Sequence, residues 1–335
     1  MTLKRDIIVI GASAGGVEAV TRILSALPAD LPASVFIVIH TSPHSRSLLP
    51  QIFSRVTKLS VGHPLGHELI RPAHVYVAPP DFHMLLESDR VKIARGPLEN
   101  HTRPAIDPLF RSAALHHGAK VIGVVLTGFL DDGTAGLVAV KARGGLAVVQ
   151  DPADAREPSM PRSALEHVDP DYLLPLAMIG PALTRLAGEP IDPPVAPPTR
   201  LLDYEARTAA SEPEMIHGDE ITVVGEPSMF SCPECNGVLW EVKGEKPLRF
   251  RCRTGHAYSA QTLMADQTTS IETALYTAMR ALEESAALAR RMASRSKNAN
   301  TAEHLLKVAS DRTQQAEDIR RALSEMAPGL ETQPA

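Results

Sequence analysis

Long hydrophobic runs are absent from this sequence, and their absence excludes a helix that spans a membrane. No run of apolar residues approaches the roughly 20 that are needed to cross a bilayer. The chain starts with two positive charges and a short apolar stretch at 6–10, but a secretory signal needs an apolar core of about 7–15 residues. We therefore predict a first strand at 6–10 and a cytoplasmic protein without membrane insertion.

Net charge and cysteine are also scarce, and each scarcity excludes a class of protein. The net charge is −5, so no overall basic field attracts nucleic acid, and we expect no nucleic-acid partner. The three cysteines are Cys232, Cys235 and Cys252. An odd number with a Cys-x-x-Cys spacing argues against a disulfide framework and favours a metal site or a redox pair.

Apolar runs and helical patterns alternate along residues 1–187, which we interpret as one catalytic domain. Apolar runs without polar alternation are typical of parallel strands buried on both faces, and they lie at 6–10, 35–39, 121–126 and 146–149. Helical patterns lie between them at 16–26, 46–56, 107–117 and 134–143. This order predicts an α/β fold with a doubly wound, mostly parallel sheet and helices on both faces. Short runs at 74–78, 83–87 and 91–94 are close together, so we expect hairpins there.

The chain changes character after residue 187. Residues 188–227 are rich in proline and then in acidic residues, which predicts a linker. The cysteines lie in a small unit at 228–262, and residues 266–327 have the apolar spacing of a helical hairpin with a coiled-coil-like seam. We expect the two helices of this hairpin to pack on each other; a dimer interface is the alternative.

The turn after the first predicted strand carries the first candidate for chemistry. Residues 11–15 read Gly-Ala-Ser-Ala-Gly, which matches the strand-to-helix turn that presents a nucleophilic serine above a sheet. A dinucleotide-binding turn would need glycine at the position of Ser13, because the backbone must approach the pyrophosphate closely there. A serine in this place can also serve only as the N-cap of a helix.

Further polar groups follow two other predicted strands. His40 comes directly after the run at 35–39, and Asp131 and Asp132 lie in the turn after 121–126. The carboxyl ends of parallel strands meet at one edge of a sheet, where the sites of such folds lie. A serine nucleophile needs a base beside it and an acid that orients the base, so Ser13, His40 and one of the two aspartates could act together.

Each of these residues also has a simpler interpretation. His40 could be a structural histidine in a loop, and Asp132, which precedes a glycine, could only close a turn. Asp107 precedes a proline and is interpreted as the N-cap of the next helix, with Pro108 at the first helical position, rather than as the acid.

Longer motifs of the first domain follow one another in a characteristic order. They are IVIGASAGGVEAV, VFIVIHTSPHSRSLLP, HVYVAPPDFHM, RPAIDPLFRSAA, GVVLTGFLDDGTAGL and MPRSAL. With these motifs, residues 6–186 resemble the catalytic domain of the CheB family of chemotaxis protein-glutamate methylesterases. The resemblance implies that the protein hydrolyses glutamyl methyl esters on a chemoreceptor or similar protein, with no cofactor for catalysis. It assigns the Ser-His-Asp triad to Ser13, His40 and Asp132, and the backbone amides of the oxyanion hole to Ala14 and Phe129.

The sequence departs from the family pattern in three respects. Phe129 stands where the family has methionine, but a backbone donor survives a change of side chain. Leu130 stands where the family has glycine, which limits the backbone freedom of the turn before the aspartates. Many family members also carry an N-terminal receiver domain, whereas the strand at 6–10 already belongs to the catalytic domain, so we expect no receiver here. These departures leave an alternative hypothesis, a catalytically weakened regulatory or scaffold module. In both cases the C-terminal region is expected to dock a partner of a signalling complex or to regulate activity.

The cysteines form a pattern with one histidine. Cys232 and Cys235 are followed, after a short predicted hairpin, by Cys252 and His256. This set of ligands suits a structural zinc ion in a zinc-ribbon-like unit, and the segment is too small to keep a core without such a staple. An unmetallated cysteine pair is the alternative. A basic strip, Lys246, Arg249, Arg251 and Arg253, is expected on the solvated face of the hairpin.

Overall fold

A seven-stranded sheet forms the centre of the first part of the chain in the computed structural model, which describes residues 3–44, 46–191, 196–211, 224–244 and 246–326. The strands of this part are β1 (Ile7–Ala12), β2 (Ser34–Ile39), β3 (Ser60–Gly62), β4 (His67–Leu69), β5 (His74–Val77), β6 (His83–Leu86), β7 (Arg90–Ala94), β8 (Val121–Val125), β9 (Leu146–Gln150) and β10 (Tyr172–Leu174). The order across the sheet is β10-β9-β8-β1-β2-β5-β3, and its strands pair in parallel.

Helices cover both faces of this sheet. They are α1 (Gly16–Ser25), α2 (Leu49–Phe53), α3 (Ile106–His117), α4 (Thr134–Ala142), α5 (Ser159–His167) and α6 (Leu176–Leu186). One apolar core holds side chains of α1, α2 and α6, and a second core holds those of α3, α4 and α5. The strands run as apolar segments because both of their faces are buried. The predicted doubly wound α/β fold is confirmed.

The hairpin prediction for residues 74–94 is right for two strands and wrong for the third. Strands β6 and β7 pair antiparallel, and β4 joins them in a three-stranded sheet. Strand β5, in contrast, lies in the central sheet between β2 and β3. Val75, Tyr76 and Val77 are all buried, and a hairpin at the surface would have left one face of this strand in water.

The segment 188–227, predicted as a linker, contains a helix. Helix α7 (Arg200–Ala209) begins at a Thr199 cap whose hydroxyl accepts a hydrogen bond from the Leu202 amide. Its Tyr204 and Glu205 are buried. The proline-rich and acidic composition of the whole segment concealed this short amphipathic pattern. Residues 192–195 and 212–223 of the same prediction lie outside the described residues.

The cysteines lie in a four-stranded antiparallel sheet that we call the ribbon, residues 225–259. Its strands are β11 (Gly225–Ser231), β12 (Val238–Val242), β13 (Arg249–Cys252) and β14 (Ala257–Ser259), in this order across the sheet. Leu239, Phe250 and Tyr258 form a small buried core with two of the cysteines. The ribbon belongs to the same compact unit as the central sheet; this unit ends at Leu263.

The basic strip predicted for the ribbon is buried over half of its length. Lys246 and Arg253 are exposed as expected, but Arg249 and Arg251 are only 5% and 1% exposed. Arg251 bonds Glu99 at 3.0 Å, and Arg249 bonds Glu205 of α7 at 2.7 Å. The expectation of a solvated face was wrong because the acidic partners lie far away in the sequence.

These ion pairs belong to a buried charge cluster that consists of Glu99, Arg111, Glu205, Arg249 and Arg251. Arg111 of α3 bonds Glu99, and Arg251 also bonds Glu205 at 2.9 Å. Burial raises the pKa of Glu205, but the three arginines outweigh burial and hold the pKa well below its usual range. The carboxylate therefore remains charged, and the cluster attaches the ribbon and α7 to α3.

Two long helices account for a second compact unit, which begins at Met264, near the start of the first of them. They are α8 (Ala260–Arg295) and α9 (Ala299–Met326). Their alanines line the contact between them, and Arg290 of α8 donates to Thr313 of α9 at 2.6 Å. The helices pack on each other, as the sequence predicts. Across the described ranges, no helix is both long and apolar enough to cross a membrane.

Candidate active site

The candidate site lies at the carboxyl edge of the central sheet, where β1 has β2 on one side and β8 on the other. Ala12, the last residue of β1, is the register partner of Ile39, the last residue of β2. Ser13 and His40 therefore start from neighbouring backbones, which lie about 4.8 Å apart in a sheet. The His40 amide donates to the Ala12 carbonyl at 3.3 Å, which continues the pairing to the edge itself.

The turn that carries Ser13 is fixed by glycine and by the neighbouring strand. Gly15 has φ 75° and is the N-cap of α1, so the N-cap interpretation of Ser13 is wrong. The Ser13 amide donates to the Thr127 carbonyl at 3.0 Å, and the Ser13 carbonyl accepts from the Gly16 amide at 2.9 Å. The Ser13 side chain, which is half-buried, has no part in holding the helix end and remains available for chemistry.

His40 and Asp132 form a direct hydrogen bond. The distance from His40 Nε2 to Asp132 Oδ2 is 2.7 Å, and the two side chains are 17% and 3% exposed. The same carboxylate accepts from the Ile106 amide at 2.7 Å and from the Gly133 amide at 3.0 Å. A carboxylate only accepts, so the proton lies on Nε2 and Nδ1 becomes the basic nitrogen of the ring.

The environments of the two adjacent aspartates differ. Burial raises the pKa of Asp132, but the His40 hydrogen bond and charge, with the hydrogen bonds from Ile106 and Asn100, lower it below its ordinary value. Burial also raises the pKa of Asp131, and there the Ser259 hydroxyl opposes only part of the effect. Asp131 accepts that hydroxyl at 2.6 Å. Of these two carboxylates, Asp132 is the one that bonds His40 in the structure.

Asp107 has a different role from the predicted one. Helix α3 has Ala105 as its N-cap, so Asp107 lies in the first turn of the helix. Its carboxyl accepts from the Gly136 amide at 2.6 Å and so binds the first turn of α4. Burial and the nearby Asp132 charge raise the pKa of Asp107 to about 8. The bond to His40 is made by Asp132, whereas the Asp107 carboxyl connects α3 with α4.

The backbone groups assigned to the oxyanion hole lie in two turns that are tied together. The Thr127 hydroxyl donates to the Ala14 carbonyl at 2.9 Å, and the Gly128 amide donates to the Glu157 carbonyl at 2.9 Å. A Cβ atom at Gly128 would lie 2.8 Å from the Cβ of Ser13. Glycine is therefore required at 128, because the turn that leads to Phe129 passes directly beside the serine.

Leu130, which stands where the family has glycine, adopts a backbone conformation that favours glycine. Its φ is 60°, in the left-handed region, and its side chain is 39% exposed. This conformation costs an ordinary side chain roughly 1–2 kcal/mol. The turn thus keeps the shape that glycine would give it, at the expense of stability.

Leu130→Gly is accordingly expected to raise the free energy of unfolding by about 1 kcal/mol, because glycine adopts a positive φ without strain. Chemical denaturation of the variant and the wild type measures this change. Phe129→Gly is the matched control: Phe129 is also exposed but is not among the residues with positive φ, so glycine there is expected to lower stability. Equal losses in both variants would contradict strain at Leu130.

The cysteine group lies at one end of the ribbon. One ligand atom from each of Cys232, Cys235, Cys252 and His256 lies within 4.8 Å of the others. His256 Nδ1 is 3.7 Å from the Cys232 sulfur and 3.5 Å from the Cys252 sulfur. The sulfurs of Cys235 and Cys252 are 3.7 Å apart, too far for a disulfide. These four side chains could hold a metal ion.

The comparisons with known proteins agree with the fold of the first part of the chain. The family model described as CheB methylesterase matches residues 8–183, which is more than half of the 335 residues. The chain therefore belongs to the CheB methylesterase family. A solved structure, the CheB methylesterase catalytic domain of Thermotoga maritima, has a TM-score of 0.53 and 33% sequence identity; the match covers 55% of this chain and all of that domain.

Two curated relatives show how far the similarity extends. A protein of Leptospira interrogans with a provisional assignment as protein-glutamate methylesterase/protein-glutamine glutaminase is 41% identical over 185 residues, which are 55% of this chain and 96% of that protein. Protein-glutamate methylesterase/protein-glutamine glutaminase 3 of Burkholderia lata is 38% identical over 186 residues, 54% of this chain and 51% of its own length. The family match ends at residue 183, before α7 and the ribbon.

Proposed function

We propose that this protein is a serine esterase that removes methyl groups from glutamyl methyl esters of a chemoreceptor or a similar signalling protein. The observation that carries the proposal is the 2.7 Å hydrogen bond between His40 and the buried Asp132 at the sheet edge beside Ser13, in a chain of the CheB methylesterase family. The names of the relatives, which describe methylesterases acting on protein glutamate, give the substrate class.

The first half of the reaction is acyl transfer to Ser13. The Ser13 hydroxyl oxygen attacks the ester carbonyl, and His40 accepts its proton at Nδ1 while Asp132 stabilises the resulting imidazolium. The negative charge on the carbonyl oxygen is stabilised by the backbone amides of Ala14 and Phe129. When the carbon–oxygen bond to the methoxy group breaks, His40 returns the proton and methanol leaves. The glutamyl group is then esterified to Ser13.

The second half returns the enzyme to its starting state. His40 removes a proton from a water molecule, which attacks the acyl carbonyl carbon, and the same amides stabilise the oxyanion. The bond to the Ser13 oxygen breaks, the serine regains its proton from His40, and a glutamate side chain is released. Every proton passes through one nitrogen of His40, because Asp132 occupies the other.

A weakened scaffold module is the competing hypothesis, and the detailed geometry argues against it. A chain that no longer needed the acid would have no reason to keep Asp132 buried among five hydrogen-bond donors. They come from His40, Asn100, Ile106, Asp107 and Gly133. A buried charge of this kind is stable only with its partners in place. The enzyme hypothesis explains this arrangement, and the scaffold hypothesis does not.

Methanol release from a methylated receptor tests the proposed reaction. Purified full-length protein is incubated with a chemoreceptor whose glutamates carry methyl esters, and the same receptor without methylation is the control. We expect methanol from the methylated receptor only. Absence of methanol at every tested receptor, from protein that is folded, would favour the scaffold hypothesis.

We also propose that Cys232, Cys235, Cys252 and His256 bind a structural zinc ion. Zinc–sulfur bonds of about 2.3 Å in a tetrahedron separate two sulfurs by about 3.8 Å, close to the 3.7 Å between Cys235 and Cys252. All four ligands come from the chain, which is typical of a structural rather than a catalytic zinc site. The ion would hold the two turns of the ribbon together, since its small core cannot do so alone.

The zinc proposal predicts about one zinc per chain in protein purified without chelator, measured by elemental analysis. Cys232→Ser is expected to lose the metal, and chelation is expected to increase hydrogen exchange in residues 225–259, because the binding energy of a structural metal is folding energy. Arg253→Ala, an exposed substitution next to Cys252, is the matched control and should retain zinc. Zinc-free wild-type protein with a protected ribbon would contradict the proposal.

A cytoplasmic location and a signalling partner complete the proposal. The three cysteines are free, and thiols persist in a reducing compartment. On the helical hairpin, Leu288, Met292 and Leu306 are each at least half exposed, and exposed apolar side chains of this kind suit a protein partner.

A further inference from the structure

The loop at residues 98–101 lies between the ribbon and the proposed catalytic acid. It pairs with β14: the Ala257 amide donates to the Leu98 carbonyl at 3.2 Å, and the Asn100 amide donates to the Ala257 carbonyl at 2.8 Å. Ala257 directly follows His256, one of the four proposed metal ligands. The backbone of this loop is therefore held by the strand that begins at the metal site.

The side chain of Asn100 extends this connection to Asp132. Its Nδ2 donates to Asp132 Oδ1 at 3.1 Å, and its Oδ1 accepts from the Ser259 amide at 2.9 Å. The orientation of the side-chain amide is fixed by its partners, because a carboxylate can only accept and a backbone amide can only donate. Asn100 is 9% exposed, so water does not readily replace either bond.

Ser259 makes a second connection, to the neighbouring aspartate. Its hydroxyl donates to Asp131 Oδ1 at 2.6 Å, and Thr262 lies 3.4 Å from the same oxygen. Both Ser259 and Thr262 are buried. The end of the ribbon thus contacts Asp131 directly and Asp132 through Asn100.

The buried charge cluster holds the other side of the same loop. Glu99, which precedes Asn100, is 1% exposed and bonds Arg251 of β13 and Arg111 of α3. Arg251 also donates to the Gly255 carbonyl at 2.7 Å, in the turn that joins Cys252 to His256. A shift of that turn would therefore reach Asn100 through Glu99 as well as through Ala257.

We propose that Asn100 is a positioning residue for Asp132 and that the ribbon, folded around its metal, sets the position of the catalytic acid through it. This inference rests on the proposed function. Without Asn100, the Ile106 and Gly133 amides would still bind Asp132. The carboxylate would therefore stay in the site, but its connection to the ribbon would be lost. The activity of the enzyme would then depend on the fraction of the protein that carries the metal.

Asn100→Gly tests the link with the least disturbance of the backbone. Asn100 has φ 48°, a conformation that glycine adopts without strain, whereas alanine would be strained in it. Loss of one hydrogen bond to a buried charge is expected to lower kcat about tenfold to a hundredfold, with KM within about twofold. Glu234→Gln is the matched control: it weakens the contact of Glu234 with His101, another bond between ribbon and loop, and leaves the Asn100 bonds intact. We expect its kcat to equal that of the wild type.

The role of the metal is tested by combining chelation with the substitution. Metal removal from the full-length protein is expected to lower kcat in the wild type and in Glu234→Gln, and to have little further effect in Asn100→Gly, because both changes break one connection. A readout without substrate is the low-field proton resonance of the His40–Asp132 hydrogen bond. It should weaken or move on chelation and in Asn100→Gly, and return when zinc is restored to the wild type.

The outcomes separate this inference from the proposed function. A wild-type resonance after chelation and in Asn100→Gly overturns the inference, whatever the activity. A wild-type kcat in Asn100→Gly also overturns the inference. So does a loss of kcat on chelation that multiplies the loss caused by Asn100→Gly. In either case an inactive Ser13→Ala leaves the esterase proposal intact. If Asn100→Gly does not fold, Asn100→Asp replaces it and is assayed across pH, because the ionised side chain still accepts from Ser259 but cannot donate to Asp132. A kcat equal to that of the wild type at the alkaline end overturns the inference.

Discussion

Replacing Ser13 with alanine is expected to lower kcat for ester hydrolysis by roughly 10⁴-fold or more, because the acyl-enzyme can no longer form. The free energy of unfolding should change little, since the Ser13 side chain is half-buried and the turn is held by backbone bonds and by Gly15. His40→Ala is expected to cause a loss of similar size, because triad residues act as a unit and their effects do not add.

The measurement is methanol release under saturating substrate, with covalent labelling as a second readout. A fluorophosphonate probe should modify wild-type protein at Ser13, through displacement of fluoride by the serine oxygen, and mass spectrometry locates the adduct. The matched control is Ser25→Ala, whose exposed hydroxyl only bonds the Arg22 carbonyl. Retained turnover in Ser13→Ala, or an adduct at another residue, would remove Ser13 from the mechanism.

Asp132→Asn is expected to lower kcat by about 10³- to 10⁴-fold, while the protein remains folded. The substituted amide would place a donor opposite Nε2 and so favour the tautomer whose basic nitrogen faces away from the serine. Asp131→Asn is the matched control next in the chain. Its oxygen can still accept the Ser259 hydroxyl, so its kcat should stay within about tenfold of the wild type.

The pair of variants decides which aspartate is the acid. If Asp131→Asn carries the large loss and Asp132→Asn the small one, the hydrogen bond between His40 and Asp132 is not the one used in catalysis. If both losses are small, neither aspartate orients His40, and the serine is activated in another way. Circular dichroism of both variants excludes unfolding as the cause.

The central sheet could be predicted because short stretches of sequence are enough to identify most of its strands. Strands β1, β2, β8 and β9 are apolar runs flanked by helical patterns, and parallel strands bury both faces. Strand β5 was misassigned because the short segment His74–Val77 has the same length and spacing as the hairpin strands that follow it. Only its neighbours in the sheet, β2 and β3, distinguish it.

Some residues of the candidate site could likewise be predicted from the sequence, and others could not. Ser13 and His40 follow strands, so topology alone brings them to one edge. The local sequence does not distinguish Asp131 from Asp132, and only the resemblance to the family favours Asp132. The hydrogen bond between His40 and Asp132 agrees with that assignment. Asn100 was missed, because no motif marks an asparagine whose partners are Asp132 and Ser259. The burial of Arg251 was missed for the same reason, since Glu99 and Glu205 lie far from it in the sequence.

The buried charge cluster has a consequence for how this protein can evolve. Glu99 and Arg111 lie before the proline-rich segment, whereas Glu205, Arg249 and Arg251 lie after it. A gene fusion that joined the catalytic domain to a different tail would take away buried partners, at a cost of about 3–5 kcal/mol, a large share of the stability of an ordinary domain. The two segments are therefore expected to be inherited together, and a hybrid between relatives should fold well only if it carries both halves of the cluster from one parent.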